Sequence, residues 1–268
     1  MNNDSLLGKI NVNNKKSKII KTLSMPVLYS PKFYGIYNGC TGKNVKIAIL
    51  DSGCPHHKDI KIEGETISFC ESNVSVDDKK GHATMLSGII KSNNKKTITG
   101  LAPHSYILYG KVIDDKGNCS FDKLVAGVLW SIVKEVDIIV MALGSTYDYM
   151  VLKEAIKKAH QHGLCVFAAG GDISNIEYPA SYENAFSTGF LTRSKKQNDF
   201  IKKNIDFYIP NKGLYTTYLD NTYVKISGSS ISTAFFAGIA AVLIEQYKSE
   251  KMKNISQAVY KELKNIFK

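Results

Sequence analysis

Short apolar runs and helical periodicities alternate along this chain, and that alternation limits what it can fold into more than any other feature of its 268 residues. The apolar, β-rich runs lie at Val45–Leu50, Ile107–Val112, Ile138–Ala142 and Cys165–Ala169. Each reads as a short buried strand. Helical periodicity runs through Phe121–Lys134, Met150–His162, Ser230–Tyr247 and, less strongly, Ile255–Phe267. Strands that alternate with helices predict a parallel sheet covered on both faces. In such sheets ligands bind outside the carboxyl ends of the strands. Asp51 and the loops at Gly144 and Gly170 all follow strand ends, so one rim is expected to carry them. The chain has no internal repeats.

Three short segments supply reactive groups to that frame. Val45–Gly53 (VKIAILDSG) brings a carboxylate, Asp51. Gly81–Gly88 (GHATMLSG) brings an imidazole, His82. Ser227–Gly238 (SGSSISTAFFAG) brings a hydroxyl, Ser230, at the start of a small-residue helix. A serine hydroxyl is a weak nucleophile alone; a base must take its proton and an acid must orient that base. Each segment also has a plain structural use: a turn-capping Asp, a structural His, a helix N-cap Ser. Together, in this order, they point to nucleophilic catalysis.

These motifs resemble those of the subtilisin-like serine proteases, and the resemblance runs from about Met25 to Tyr247. Asp51-Ser-Gly is similar to the family's Asp motif. GHATMLSG is similar to GHGTHVAG, with Ala83 and Met85 as substitutions, and SGSSISTAFFAG is similar to GTSMATPHVAG. The order Asp, His, Ser is the subtilisin order. Gly100–Pro103, Lys111–Val112 and Asp137–Gly144 also fall in the family's sequence. The resemblance implies an α/β fold of three layers, α/β/α, with a mostly parallel, doubly wound sheet. It implies an endopeptidase in which Ser230 attacks the carbonyl, His82 relays the proton and Asp51 orients the imidazole. Residues 1–24 then read as a polar extension and 25–268 as the peptidase domain.

The family comparison also implies a binding cleft, and one departure from the pattern. The usual side-chain donor of the oxyanion hole is an Asn. Here Gly171 stands at that position, with Asp172 next, so a backbone N–H or a water is expected to serve beside the N–H of Ser230. A protonated Asp172 is the other donor considered. Asp115–Cys119, with Gly117 and Asn118, matches the edge strand that pairs with extended substrate, Ala142–Ser145 matches the opposite strand, and Gly144 in it is expected to admit the substrate backbone. Ile113, Phe121, Leu124 and Leu143 match an apolar subsite, or are simply core. Glu177, before Tyr178 and Pro179, falls at the base of the pocket for the residue preceding the cut; there it would pair with Lys or Arg, or else it is a solvated loop acid.

Composition narrows the setting. The net charge of +11 comes mostly from lysine and reads as a solvated surface, or as attraction to an acidic peptide; no aromatic-interleaved patch suggests nucleic acid. Five scattered cysteines without a CxxC predict free thiols and a reducing, cytoplasmic setting. No apolar h-region opens the chain and no run of about eighteen apolar residues occurs, so neither a signal peptide nor a membrane span is expected. The loop Lys91–Thr99 matches a family calcium loop, but its lysines oppose a cation, so no metal or other cofactor is expected; zinc on His56, His57 and His82 fits no standard spacing. Cys54, three residues past Asp51, is a candidate for thiol inactivation unless buried. The expected reading is a monomeric serine endopeptidase that processes a peptide precursor after a basic residue. Short prodomain-less relatives that remove lantibiotic leaders offer one such role. The alternative is a catalytically silent peptide-binding protein, suggested by Gly171.

Overall fold

The computed structural model describes residues 27–28, 39–71, 75–171, 176–210 and 213–267. The expected extension at 1–24 lies outside them, as does Asp172. In chain order the elements are β1 (Val27–Leu28), β2 (Lys46–Asp51), β3 (Thr66–Ser68), α1 (His82–Lys91), β4 (Ile98–Thr99), β5 (Tyr106–Lys111), α2 (Phe121–Val133), β6 (Ile138–Met141), α3 (Met150–Gln161), β7 (Cys165–Ala169), β8 (Phe186–Phe190), α4 (Lys195–Asn204), β9 (Phe207–Ile209), β10 (Leu214–Tyr218), β11 (Thr222–Ile226), α5 (Ser229–Ser249) and α6 (Ile255–Ile266).

Seven strands form one sheet in the order β3-β5-β2-β6-β7-β8-β9, and every neighbouring pair is parallel. β2 is the third strand, with β5 on one side and β6 on the other, so the chain switches direction of winding there. That is where an open α/β sheet leaves a crevice at its carboxyl edge. The expected rim forms: Asp51 is the last residue of β2, Gly144 follows β6 and Gly170 follows β7.

The pleat divides the core into two layers. Ile47, Ile49, Tyr109, Val140 and Phe167 face one way and pack with α1, α5 and α6. Ala48, Leu50, Leu108, Ile139, Met141 and Val166 face the other way, where Leu124, Val128, Leu152 and Ile156 of α2 and α3 cover them. This is the three-layer α/β/α arrangement. α5 is long and apolar enough to cross a membrane by composition, but 83% of its apolar window is buried inside the protein. It is the central helix of the first layer, and its N-terminus reaches the rim. The hairpin β10–β11 grips α1 from above: the hydroxyls of Thr216 and Thr217 donate to the carbonyls of Met85 and Thr84 at 2.6 and 2.7 Å.

Candidate active site

The end of β2 and the start of α1 bring a carboxylate and an imidazole together. His82 Nδ1 lies 2.8 Å from Oδ1 and 2.9 Å from Oδ2 of Asp51. Both side chains are buried. Burial works against the imidazolium, but the charge and hydrogen bond of Asp51, with Asp78 behind, raise the His82 pKa above its ordinary value. Nε2 is left to exchange a proton with a nucleophile. The Ser52 N–H donates to Asp51 Oδ1 at 2.7 Å. The Ser52 hydroxyl lies 3.0 Å from Asp51 Oδ1 and 2.8 Å from Asp78 Oδ1, and accepts the Ala83 N–H at 3.0 Å.

Asp78 is the residue the sequence reading missed. Its carboxylate accepts the N–H groups of Lys80, Gly81 and Thr84 at 3.0, 2.8 and 2.8 Å, and the Thr84 hydroxyl at 2.7 Å. The Gly81 and Thr84 amides are among the orphan donors at the start of α1, where the helix dipole favours a negative charge. Asp78 therefore fixes the first turn that aims His82. Its signal was an Asp a few residues ahead of a helix, made ambiguous by the adjacent Asp77.

Ser230 is the second residue of α5, and half-buried. Its N–H is one of the four that no helical carbonyl can reach, so it is available to an oxyanion. The Thr233 hydroxyl, one turn on, donates to Ser229 O at 2.8 Å and lies 2.7 Å from Thr188 Oγ1 of β8. That pins the helix start over the sheet. Ser230 Oγ donates to Ala142 O at 2.9 Å, on the loop after β6, rather than to His82. Catalytic hydrogen bonds often form or tighten only once substrate is bound.

The loops after β6 and β7 complete the rim. Gly170 N–H donates to Thr188 O at 2.8 Å, and Gly171 follows with φ 81°. Ser145 and Tyr178 exchange backbone hydrogen bonds at 2.8 Å, and the Tyr178–Pro179 peptide is cis. This pairing brings Glu177 over Gly144. A Cβ on Gly144 would collide with the Glu177 carboxylate and lie 2.8 Å from Glu177 Cβ. The space a side chain would need at position 144 is therefore taken by Glu177.

Two expectations need correction. Asp115–Cys119 is a turn, not a strand. Gly117 N–H donates to Asp114 O at 2.9 Å, and Asp114 Oδ1 accepts the N–H groups of Lys116 and Asn118 at 2.9 and 2.7 Å. The amides of Gly117 and Asn118 are therefore both engaged, and Asn118 O accepts the Asp114 N–H at 2.8 Å. The four-residue apolar subsite divides. Ile113 and Leu124 are 0% and 4% exposed and belong to the core, because the pleat and helix face turn them inward. Phe121 and Leu143 are partly open, and Tyr149, unforeseen, stacks on Phe121 with centroids 4.5 Å apart.

The remaining candidates are occupied structurally. Burial and the nearby Asp77 and Asp78 push the Cys54 thiol up to about 11, so it is a poor nucleophile. His56 Nε2 pairs with Asp77 at 2.7 Å, and His57 Nε2 lies 3.1 Å from Thr222 O, so neither joins His82. In the loop Lys91–Thr99, Asn94 Oδ1 accepts the Lys96 N–H at 2.9 Å and Asn94 Nδ2 donates to Asp59 at 2.7 Å. Among the described residues no three His, Cys, Asp or Glu side chains converge as a metal site.

The sequence pattern of the subtilase family matches residues 42–265. The minor extracellular protease Epr of Bacillus subtilis is 33% identical over 81% of this chain and 36% of its own length. Subtilisin DY of Bacillus licheniformis is 30% identical over 78% of this chain and 80% of its own. The major intracellular serine protease of Bacillus subtilis is 30% identical, over 85% and 76% respectively. This chain thus spans little more than a third of Epr and most of the other two.

Proposed function

This chain belongs to the subtilase family of serine endopeptidases, and on that premise we propose that it processes a peptide precursor by cutting after a basic residue. Ser230 Oγ attacks the scissile carbonyl and forms the acyl-enzyme. His82 Nε2 takes its proton and returns it to the leaving amine. Asp51 holds Nδ1–H and stabilises the imidazolium. The Ser230 N–H and a backbone or water donor near Gly171 receive the oxyanion.

The observation that carries the preference for a basic residue is the Glu177 carboxylate against Gly144, two residues past the carbonyl that holds Ser230 Oγ. A Lys or Arg side chain entering beside the nucleophile would meet it in a sheltered place, where charge-assisted hydrogen bonds are strong. The test is a peptide library cut by wild type, Ser230→Ala and Glu177→Gln and read by mass spectrometry. Wild type should cut after Lys and Arg, Ser230→Ala should not cut, and Glu177→Gln should lose the preference. Equal cutting by wild type after Leu or Phe would overturn it.

A lantibiotic precursor cut at its leader is one substrate of this kind. Action in the cytoplasm is supported by five free cysteines, three of them buried. Catalysis without calcium is supported by the engagement of Asn94 with Lys96 and Asp59, which leaves that loop short of oxygen ligands. We propose that the protein acts as a monomer, without nucleic acid or membrane. The second reading, a silent peptide-binding protein, is favoured by Gly171 alone. A serine-directed phosphonate separates the two, since only an activated Ser230 reacts.

A further inference from the structure

A buried lysine that the triad chemistry does not use stands at the end of β5, opposite Asp51 in the sheet register. Lys111 is 1% exposed. An ammonium has three protons to place. Here all three are placed: on Ser52 O at 2.9 Å, Asp77 O at 2.6 Å and Asp115 Oδ1 at 2.8 Å. The acceptors come from three segments. Ser52 follows Asp51 and gives its own N–H to the Asp51 carboxylate. Asp77 precedes Asp78, whose carboxylate caps the helix that aims His82. Asp115 belongs to the turn at 114–118, the segment that the family resemblance sets along the substrate.

Asp115 is clamped from both sides, since Lys79 Nζ reaches its other oxygen at 2.9 Å. Lys111 is buried and Asp115 is 33% exposed, and an ion pair of either kind is weak evidence of stabilisation. Stability alone therefore does not account for a charge at this strand end. We propose that Lys111 is a positioning residue that, through Asp115, locks the substrate-edge turn to the two loops that aim Asp51 and His82. Peptide and triad then share one anchored frame. The inference rests on the serine endopeptidase reading.

The experiment compares two substrates with the same basic residue before the cut, a single-residue anilide and a tetrapeptide anilide. Wild type, Asp115→Asn, Lys111→Met and the double variant are tested, with active sites counted by phosphonate labelling. Remote binding energy that is transmitted to the reacting centre appears in kcat. The tetrapeptide's advantage in kcat should fall about tenfold in Asp115→Asn, with KM little changed. Lys111→Met should fall at least as far, and the double variant no further. An unchanged ratio in Asp115→Asn, a loss confined to KM, or additive losses would overturn the inference. If Lys111→Met does not fold, Asp115→Asn decides alone. A wild type that accepts neither phosphonate nor substrate overturns the endopeptidase reading and this inference with it.

Discussion

Ser230 Oγ and the carbonyl of Ala142 are joined by a 2.9 Å hydrogen bond, so the nucleophile rests against the wall of its own cleft. Its proton must move to His82 before attack. A peptide that pairs along residues 142–145 would compete for that wall and free the hydroxyl. Labelling of Ser230 by a peptidyl phosphonate is therefore expected to be faster than labelling by a small phosphonate without a peptide arm. Ser230→Ala should abolish both and lower kcat by about 10⁶, the loss known for subtilisin. Equal labelling rates for the two reagents would mean that the resting hydrogen bond is no barrier.

The pH dependence follows from the buried His82–Asp51 pair. His82 must be neutral to accept the Ser230 proton. Because Asp51 raises its pKa against the effect of burial, the acid limb of kcat/KM should lie above about 6.5, the ordinary imidazole value. Linkage runs the opposite way for stability. A raised folded pKa stabilises the fold below the unfolded value, and that contribution is lost as pH rises through the folded pKa. The protein should thus be most active where this small contribution has gone. Asp51→Asn should move the limb to lower pH and reduce kcat by about 10⁴. A wild-type limb at or below the ordinary value would count against the pairing.

Asp78 is expected to act through His82 without touching substrate. Asp78 lies three residues ahead of the Gly81 N-cap but does a cap's work, and removing such an acceptor costs about 0.5–2 kcal/mol. Asp78→Ala also strands the Thr84 hydroxyl and leaves the Ser52 hydroxyl with Asp51 Oδ1 alone, so the urea midpoint should fall and kcat/KM per titrated site should fall with it. Asp78→Asn keeps one acceptor oxygen and should recover part of both. Stability lost with full activity per site would reduce Asp78 to a purely structural cap.

What was legible in the sequence follows from where physics leaves a period. β2, β5, β6 and β7 are apolar on both faces and read as runs, and α2, α3 and α5 were found to within two residues. β8 (FSTGF) hides because its centre is polar: the Ser187 and Thr188 hydroxyls are spent on Asp206, Ala168 and Thr233. α4 (KKQNDFIKKN) buries only Ile201, too little for a visible stripe. β10 and β11 are rich in Thr and Tyr; the Thr216 and Thr217 hydroxyls of β10 clamp α1 and the Tyr223 hydroxyl of β11 goes to Asp59, which no local pattern announces. In the site, Asp51 and His82 were legible because the chemistry needs those groups at strand end and helix start. Asp78, Tyr149 and the inward turn of Ile113 and Leu124 depend on packing between distant segments.

Gly171 offers the most direct test of the oxyanion hole. It lies two residues past β7 with φ 81°, a conformation that Asn adopts more readily than most side chains. Gly171→Asn should therefore fold without a large penalty and place an amide at the family's donor position. Loss of one such donor costs about 10²–10³ in kcat, a figure measured on a subtilisin and not taken from this chain. If the wild type lacks that donor, Gly171→Asn should raise kcat toward that factor while KM stays nearly constant, because the amide binds the transition state and not the substrate. An unchanged kcat would mean that a water or another N–H already fills the place. A wild type inert to peptides and phosphonate, with an active Gly171→Asn, would instead mark the natural protein as a silent binder whose triad is intact and whose oxyanion hole is not.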